Sequence, residues 1–222
     1  GEELDAKQPW IPHGKRNPMQ KFDDDEFFME IFREADKRSV CGLSRLYTLY
    51  QWTLQTKELT GNLAEAGVYN GGSAKLIAET LSDNNKKLHL FDTFGGFPQE
   101  MVDKNKDWNT VGQSIAKEQE VKNYLKEFDN IEFHVGIFPD TTEGLEDEIY
   151  NFVHVDMDLY LSAKTACEYF YPRMVKGAAM IFDDYGFWAQ LGTKVAVDEF
   201  FKDKPEYPIY MPPTGQCIIV KQ

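Results

Sequence analysis

The sequence is poor in cysteine and in positive charge, and it lacks any long apolar run. Three cysteines, Cys41, Cys167 and Cys217, lie far apart with no C-x-x-C pair. That spacing supports neither a disulfide framework nor a zinc ribbon, and it reads as reduced, buried thiols. Lys and Arg number 24 against 37 acidic residues, a formal net charge of −13. Such a balance argues against a nucleic-acid binder, which needs a positive face, and disfavours a polybasic membrane-surface protein. No apolar stretch approaches the ~18 residues of a transmembrane helix, and Gly1–Lys7 has no signal-peptide core. The expected location is cytoplasmic, with no nucleic-acid and no membrane partner.

What is present is a core-forming chain. Hydrophobic residues make up 42% of the 222 positions and aromatics 14%, too rich for disorder, and the length fits one large α/β domain or two small ones at most. Residues 1–20, with Pro9, Pro12, Pro18 and Gly14, read as an extended arm. Asp23-Asp24-Asp25 opens a helical stretch, and Leu43, Leu46, Tyr47 and Tyr50 give one buried face of a second helix over 43–59. From there short apolar runs alternate with helical ones. Strands are expected at Leu63–Val68, Lys87–Phe91, Ile131–Val135, Phe152–Asp156 and Ala178–Phe182, with helices at Ser73–Leu81, Ser114–Phe128, Ser162–Tyr171 and Thr193–Phe201. Two closing strands, Tyr207–Met211 and Gln216–Val220, flank Pro212-Pro213-Thr214-Gly215 as an antiparallel hairpin. The expectation is a seven-stranded, mostly parallel sheet with helices on both faces. Residues 1–60 form an arm and helices packing on a core of residues 61–222.

Ligands of such open sheets sit outside the carboxyl ends of the strands. The first strand ends in Glu65-Ala-Gly67-Val-Tyr-Asn-Gly71-Gly72-Ser73, which is neither the G-x-G-x-x-G of nicotinamide cofactors nor a phosphate loop. An acid two positions before the first glycine suits a cationic or zwitterionic ligand; the alternative is a glycine turn with no ligand. The second strand ends at Asp92, 20 residues after Gly72, where an acid accepts hydrogen bonds from a ribose diol. A helix N-cap is its bland alternative. Two further strands finish in aspartates, Asp156 on one and Asp183 and Asp184 on its neighbour. Three converging carboxylates call for a cation, and an oxygen-only set suits Mg²⁺, Ca²⁺ or Mn²⁺. Read instead as caps and loop acids, they carry no chemistry. His154 shares a strand face with Asp156, but a histidine in an apolar strand is more often packed and hydrogen-bonded than catalytic. Phe187 and Trp188 could floor a pocket or simply pack.

Glu65-Ala-Gly-Val-Tyr-Asn-Gly-Gly-Ser73, Asp92-Thr-Phe-Gly-Gly-Phe-Pro98, Gly136-Ile-Phe-Pro-Asp-Thr141, Val155-Asp-Met-Asp-Leu-Tyr160, Asp183-Asp-Tyr-Gly186 and Ala196-Val-Asp-Glu-Phe200 occur in that order. Together, over about residues 39–220, they resemble the macrocin O-methyltransferase family. The resemblance implies a class I methyltransferase (Rossmann-like) fold using S-adenosylmethionine, with Mg²⁺ assisting methylation of a sugar hydroxyl. It assigns Glu65, Gly67 and Ser73 to the cofactor loop, Asp92 and Thr93 to the ribose, and Gly136 and Ile137 to the adenine. It makes Asp156, Asp183 and Asp184 metal ligands and Asp156 the general base. Ser39-Val-Cys-Gly-Leu-Ser-Arg45 resembles the family's Thr-Met-Ile-Gly-x-x-Arg stretch, which places Ser39 near the cofactor. The implied acceptor is a small-molecule glycoside offering a vicinal diol. A catechol acceptor, a nicotinamide oxidoreductase and a non-catalytic nucleoside-binding module are the competing readings. A homodimer exchanging the N-terminal arm is the oligomeric state to test.

Overall fold

The computed structural model describes residues 25–81, 85–109, 111–188 and 191–222. The arm at 1–20 lies outside the described residues, as do Asp23 and Asp24. Asp25 does cap α1 (Glu26–Ala35): its carboxylate accepts the Phe28 N–H at 2.9 Å, the bond an N-cap acid supplies. α1 buries Phe28, Ile31 and Ala35, and α2 (Gly42–Thr56) buries Leu46, Leu49 and Tyr50. Phe28 meets Tyr47 edge-on with ring centroids 4.8 Å apart, so the two helices share an aromatic seam.

The sheet has seven strands in the order β3-β2-β1-β4-β5-β7-β6. They are β1 (Asn62–Ala66), β2 (Leu88–Asp92), β3 (Ile131–Val135), β4 (Tyr150–Val155), β5 (Met174–Phe182), β6 (Ile209–Tyr210) and β7 (Cys217–Val220). The first five are parallel; β7 runs antiparallel to β5 and to β6. The expected apolar runs and the closing hairpin are therefore all present, with β5 four residues longer at its start and β6 cut to two residues. α3 (Gly72–Thr80), α5 (Tyr160–Phe170) and α6 (Leu191–Phe201) also fall where expected. On the inner strands alternate side chains enter different cores. Leu63 and Phe152 join the side covered by α1, α2 and α3; Ala64, Ala66, Val153 and Val155 join the side of α5 and α6.

The helix expected over 114–128 is shorter, α4 (Glu118–Tyr124). Its first turn is lost because residues 112–116 pair with 94–97 instead: Gly95 bridges Ile115, and the Phe97 N–H donates to the Gln113 carbonyl at 3.0 Å. Ser114 sits at φ +59°, which no helix accommodates. This clasp lies over the carboxyl ends of β1 and β2.

Strand order reverses between β1 and β4, and the ladders run one residue past the strands there. The Asp156 N–H donates to the Ala66 carbonyl at 2.8 Å, Asp183 to Val155 at 3.0 Å, and Gly136 to Asp92 at 3.0 Å. The sheet's own hydrogen bonds thus align Gly67, Asp92, Gly136, Asp156 and Asp183 along one rim. Gly67 is indispensable to this rim. It has φ +90°, and a Cβ there would overlap the Asp156 carbonyl group. Gly144, at φ +83°, has open space around it. Gly67→Ala should therefore cost more than the ~1–2 kcal/mol of left-handed strain expected for Gly144→Ala. Urea unfolding of the two variants checks this, and equal losses would contradict it.

Candidate functional site

At the switch between β1 and β4 the rim opens into a cavity of about 510 Å³, within the range of small-molecule sites. Gly67 and Tyr69 form one wall, Asp92 and Thr93 another, Gly136, Ile137 and Phe138 a third, and Asp156, Met157 and Asp158 a fourth. Gly96, Phe97, Pro98, Met101, Gln113 and Ser114, from the clasp and the loop beside it, also line it, as does Phe91 beneath. This stretch carries no recognisable substrate pattern in the sequence, and only the pairing of 94–97 with 112–116 brings it to the cavity.

Asp92 is held by three backbone donors. Its Oδ2 accepts from Val68 at 2.7 Å and Tyr69 at 2.8 Å, and its Oδ1 from Phe94 at 2.7 Å. Each carboxylate oxygen has two acceptor sites, so the group is fixed in orientation and retains acceptor capacity on the cavity side. Thr93 donates its hydroxyl to the Gly96 carbonyl at 2.9 Å and ties the clasp to β2.

Three of the expected cofactor residues stand behind the wall. Ser39 Oγ accepts the Cys41 N–H at 3.1 Å, and its backbone packs on Gly72, where a Cβ would come within 2.6 Å of Ser39 N. Ser73 is buried in the first turn of α3. Glu65 is fully buried beneath the glycine loop, with Oε1 2.8 Å from His154 Nδ1 and Oε2 without a partner.

From Glu65 a buried polar chain crosses the sheet. His154 lies between two carboxylates, its Nε2 3.6 Å from Asp183 Oδ1. Asp183 Oδ1 also accepts from Gln216 Nε2 at 2.8 Å, and Asp183 Oδ2 takes an ion pair from Arg45. Burial opposes a charge on His154, but the flanking carboxylates of Asp183 and Glu65 outweigh it and push its pKa up to about 10. Burial likewise works against the Asp183 carboxylate, yet His154, Arg45 and Gln216 hold it below the usual carboxylate range. The Arg45 guanidinium is anchored on the Cys41 carbonyl at 2.7 Å and lies over the Phe187 ring. Trp188 instead stands exposed, edge-on to Trp108 with ring centroids 5.4 Å apart.

The aspartates meet around Asp156. It shares one group with Asp158 and Asp184 and another with Cys41 and Asp183; within each group the ligand atoms lie within 4.8 Å of one another. Burial first, and neighbouring carboxylates next, raise both Asp156 and Asp184 well above their ordinary range. Asp184 Oδ2 is buried without a partner. Crowded acids with an orphaned oxygen fit a hard divalent cation bound through oxygen. Cys41 Sγ lies 3.7 Å from Asp156 Oδ2 and 3.8 Å from Asp183 Oδ2. Burial and those carboxylates hold it as a neutral thiol. Sequence reasoning placed the aspartates, read Cys41 as a buried thiol and His154 as packed and hydrogen-bonded, but did not give their partners and had no signal for Gln216.

Among the described residues no helix is long and apolar enough to cross a membrane. Comparison with known proteins finds O-methyltransferases among the relatives. The chain is 29% identical over 164 residues to the 8-demethyl-8-(2,3-dimethoxy-alpha-L-rhamnosyl)-tetracenomycin-C 4'-O-methyltransferase of Streptomyces olivaceus. That match spans 66% of this chain and 62% of the relative. It is 25% identical over 185 residues to the demethyldecarbamoylnovobiocin O-methyltransferase of Streptomyces niveus, spanning 75% of this chain and 68% of that protein. The solved structure of the O-methyltransferase NovP superposes with a TM-score of 0.71 at 23% identity, over 83% of this chain and 82% of the other. A calicheamicin methyltransferase gives 0.67 at 16% identity, over 99% and 97%. These likenesses establish the fold as that of the class I methyltransferases. The family profile described as macrocin-O-methyltransferase matches residues 35–208, most of the sequence, and the chain belongs to that family.

Proposed function

We propose that this protein transfers the methyl group of S-adenosylmethionine to one hydroxyl of a vicinal diol on the sugar of a glycosylated small molecule, assisted by Mg²⁺. The observation that carries the reading is the sharing of one cavity by Asp92, preset as an acceptor, and Asp156, the common member of both acid groups. Membership of the macrocin-O-methyltransferase family, and a relative named for O-methylation of a rhamnosyl compound, support methyl transfer to a sugar hydroxyl.

In this reading Gly67 lets the donor approach the β1 backbone, and Asp92 with Thr93 receives the ribose diol. Gly136 and Ile137 line the adenine. Glu65, Ser39 and Ser73 act from behind, fixing the glycine loop against α1 and β4. Such a donor carries a sulfonium and no phosphates, which suits an acidic loop without pyrophosphate spacing. Asp156, Asp183 and Asp184 would hold the cation, with Asp158 as a further oxygen close by. A bound Mg²⁺ lowers the pKa of a coordinated hydroxyl and orients it. Asp156 borders both the cavity and the acid cluster, so it is placed to take the hydroxyl proton. Arg45 and His154 keep Asp183 ionised and fixed, and the clasp excludes water from the donor.

Labelled S-adenosylmethionine, Mg²⁺ and a panel of glycosides give the direct assay. Asp156→Asn should lower kcat by about 10²–10⁴-fold while leaving S-adenosylhomocysteine affinity within about twofold; Asp92→Ala should weaken that affinity at least about tenfold. Full activity of Asp156→Asn, or indifference to EDTA, would sink the metal-assisted mechanism. His154→Leu leaves Glu65 and Asp183 buried without their shared cation, and should destabilise the fold by about 3–5 kcal/mol in urea. A loss below ~1 kcal/mol would mean that the buried chain is not a charged unit.

A further inference from the structure

A second group of ligating side chains lies between β2 and β3, and none of its members borders the cavity. β2 and β3 pair in parallel with His89 opposite Glu132 and Phe91 opposite His134. Glu132 and His134 are two residues apart, so both project from the same face of β3, alongside His89. His89 Nδ1 lies 3.0 Å from His134 Nε2 and 3.5 Å from Glu132 Oε2. One ligand atom from each of the three falls within 4.8 Å of the others.

Aromatic rings pack around them. His134 stacks on Phe91 at 4.6 Å and on His89 at 5.2 Å, and His89 meets Tyr150 edge-on at 5.9 Å. His89 is fully buried, and its other nitrogen, Nε2, has no hydrogen-bond partner. That nitrogen is 3.8 Å from Glu148 Oε2, a carboxylate fixed by Asn62 Nδ2 at 2.7 Å.

The tautomers decide what this arrangement suits. With its proton on Nδ1, His89 can donate to His134, but its Nε2 lone pair is then buried facing the Glu148 carboxylate. With the proton on Nε2, His89 faces Glu148 favourably and turns the Nδ1 lone pair toward His134 and Glu132. Burial lowers the pKa of both histidines, which favours their neutral, ligating form. Two imidazole nitrogens and one carboxylate oxygen are a donor set for zinc or a similar transition ion, with a position left for water. Zinc–nitrogen bonds of about 2.0–2.1 Å at a tetrahedral angle separate two nitrogens by roughly 3.3 Å. The present 3.0 Å needs to open only slightly.

We propose that His89, His134 and Glu132 form a Zn²⁺ site, with Glu148 orienting His89 by accepting its Nε2–H. A carboxylate on the non-ligating nitrogen is the usual partner of a metal-bound histidine. The ion would clamp the edge strand β3 to β2. Because His134 stacks on Phe91, which lines the cavity, the clamp also braces that wall. Lys87 competes: its ammonium holds Glu132 Oε1 at 2.6 Å and leaves Oε2 for the ion.

The test is a Zn²⁺ titration of the whole protein against a chromophoric chelator, with excess Mg²⁺ to occupy carboxylate sites. One equivalent should bind, and Cu²⁺ in its place should give an electron paramagnetic resonance spectrum split by two nitrogens. His134→Ala and Glu132→Gln, both at partly exposed positions, should weaken Zn²⁺ at least about tenfold with unchanged circular dichroism. Lys87→Met should tighten it. Absence of a stoichiometric equivalent in the wild type, or an affinity indifferent to His134→Ala, would overturn the proposal.

Discussion

His154 and Arg45, set among the carboxylates of Glu65, Asp156 and Asp183, organise the carboxyl end of this sheet. His154 bridges Glu65 and Asp183, and Arg45 reaches down from α2 to the other oxygen of Asp183. Charges out of water are costly unless paired and hydrogen-bonded. The arrangement therefore ties three strands and a helix to one geometry. Asp183 is claimed from two sides, while Asp156 and Asp184, with fewer partners, are left crowded and prone to protonation. A site whose acids are held so unequally is suited to a cation.

Asp92 and Gly67 belong to the same design at the neighbouring strand ends. Backbone N–H groups from the glycine loop orient Asp92, so the loop that admits the ligand also fixes the ribose acceptor proposed here. Gly67 must lack a side chain because the chain after β4 passes directly against it. Loop, acceptor and acid cluster are consequently coupled through backbone contacts, and a change in one displaces the others.

Much of this was legible in the residues. Apolar runs ending in Gly67, Asp92, Asp156 and Asp183 located the strands and their carboxyl ends, since buried parallel strands are near-continuous apolar runs. Alternation also put His154 on one face, but periodicity gives a face and never a partner. The Glu65–His154 contact depends on β1 lying beside β4, and Gln216 reaches Asp183 only because β7 inserts next to β5. The clasp was missed because the helical stripe of residues 121–128 ran on, in the sequence, into residues whose backbone pairs with 94–97. Short-range pattern cannot report such non-local pairings.

The central claim is a methyl donor and a divalent cation side by side at Asp156. A crystal grown with S-adenosylhomocysteine, and with Mn²⁺ in place of Mg²⁺, tests it most directly through Mn²⁺ anomalous scattering. The account predicts the nucleoside in the cavity with its ribose on Asp92, and an anomalous peak bonded to Asp156. An empty cavity, or a peak remote from Asp156, would contradict it.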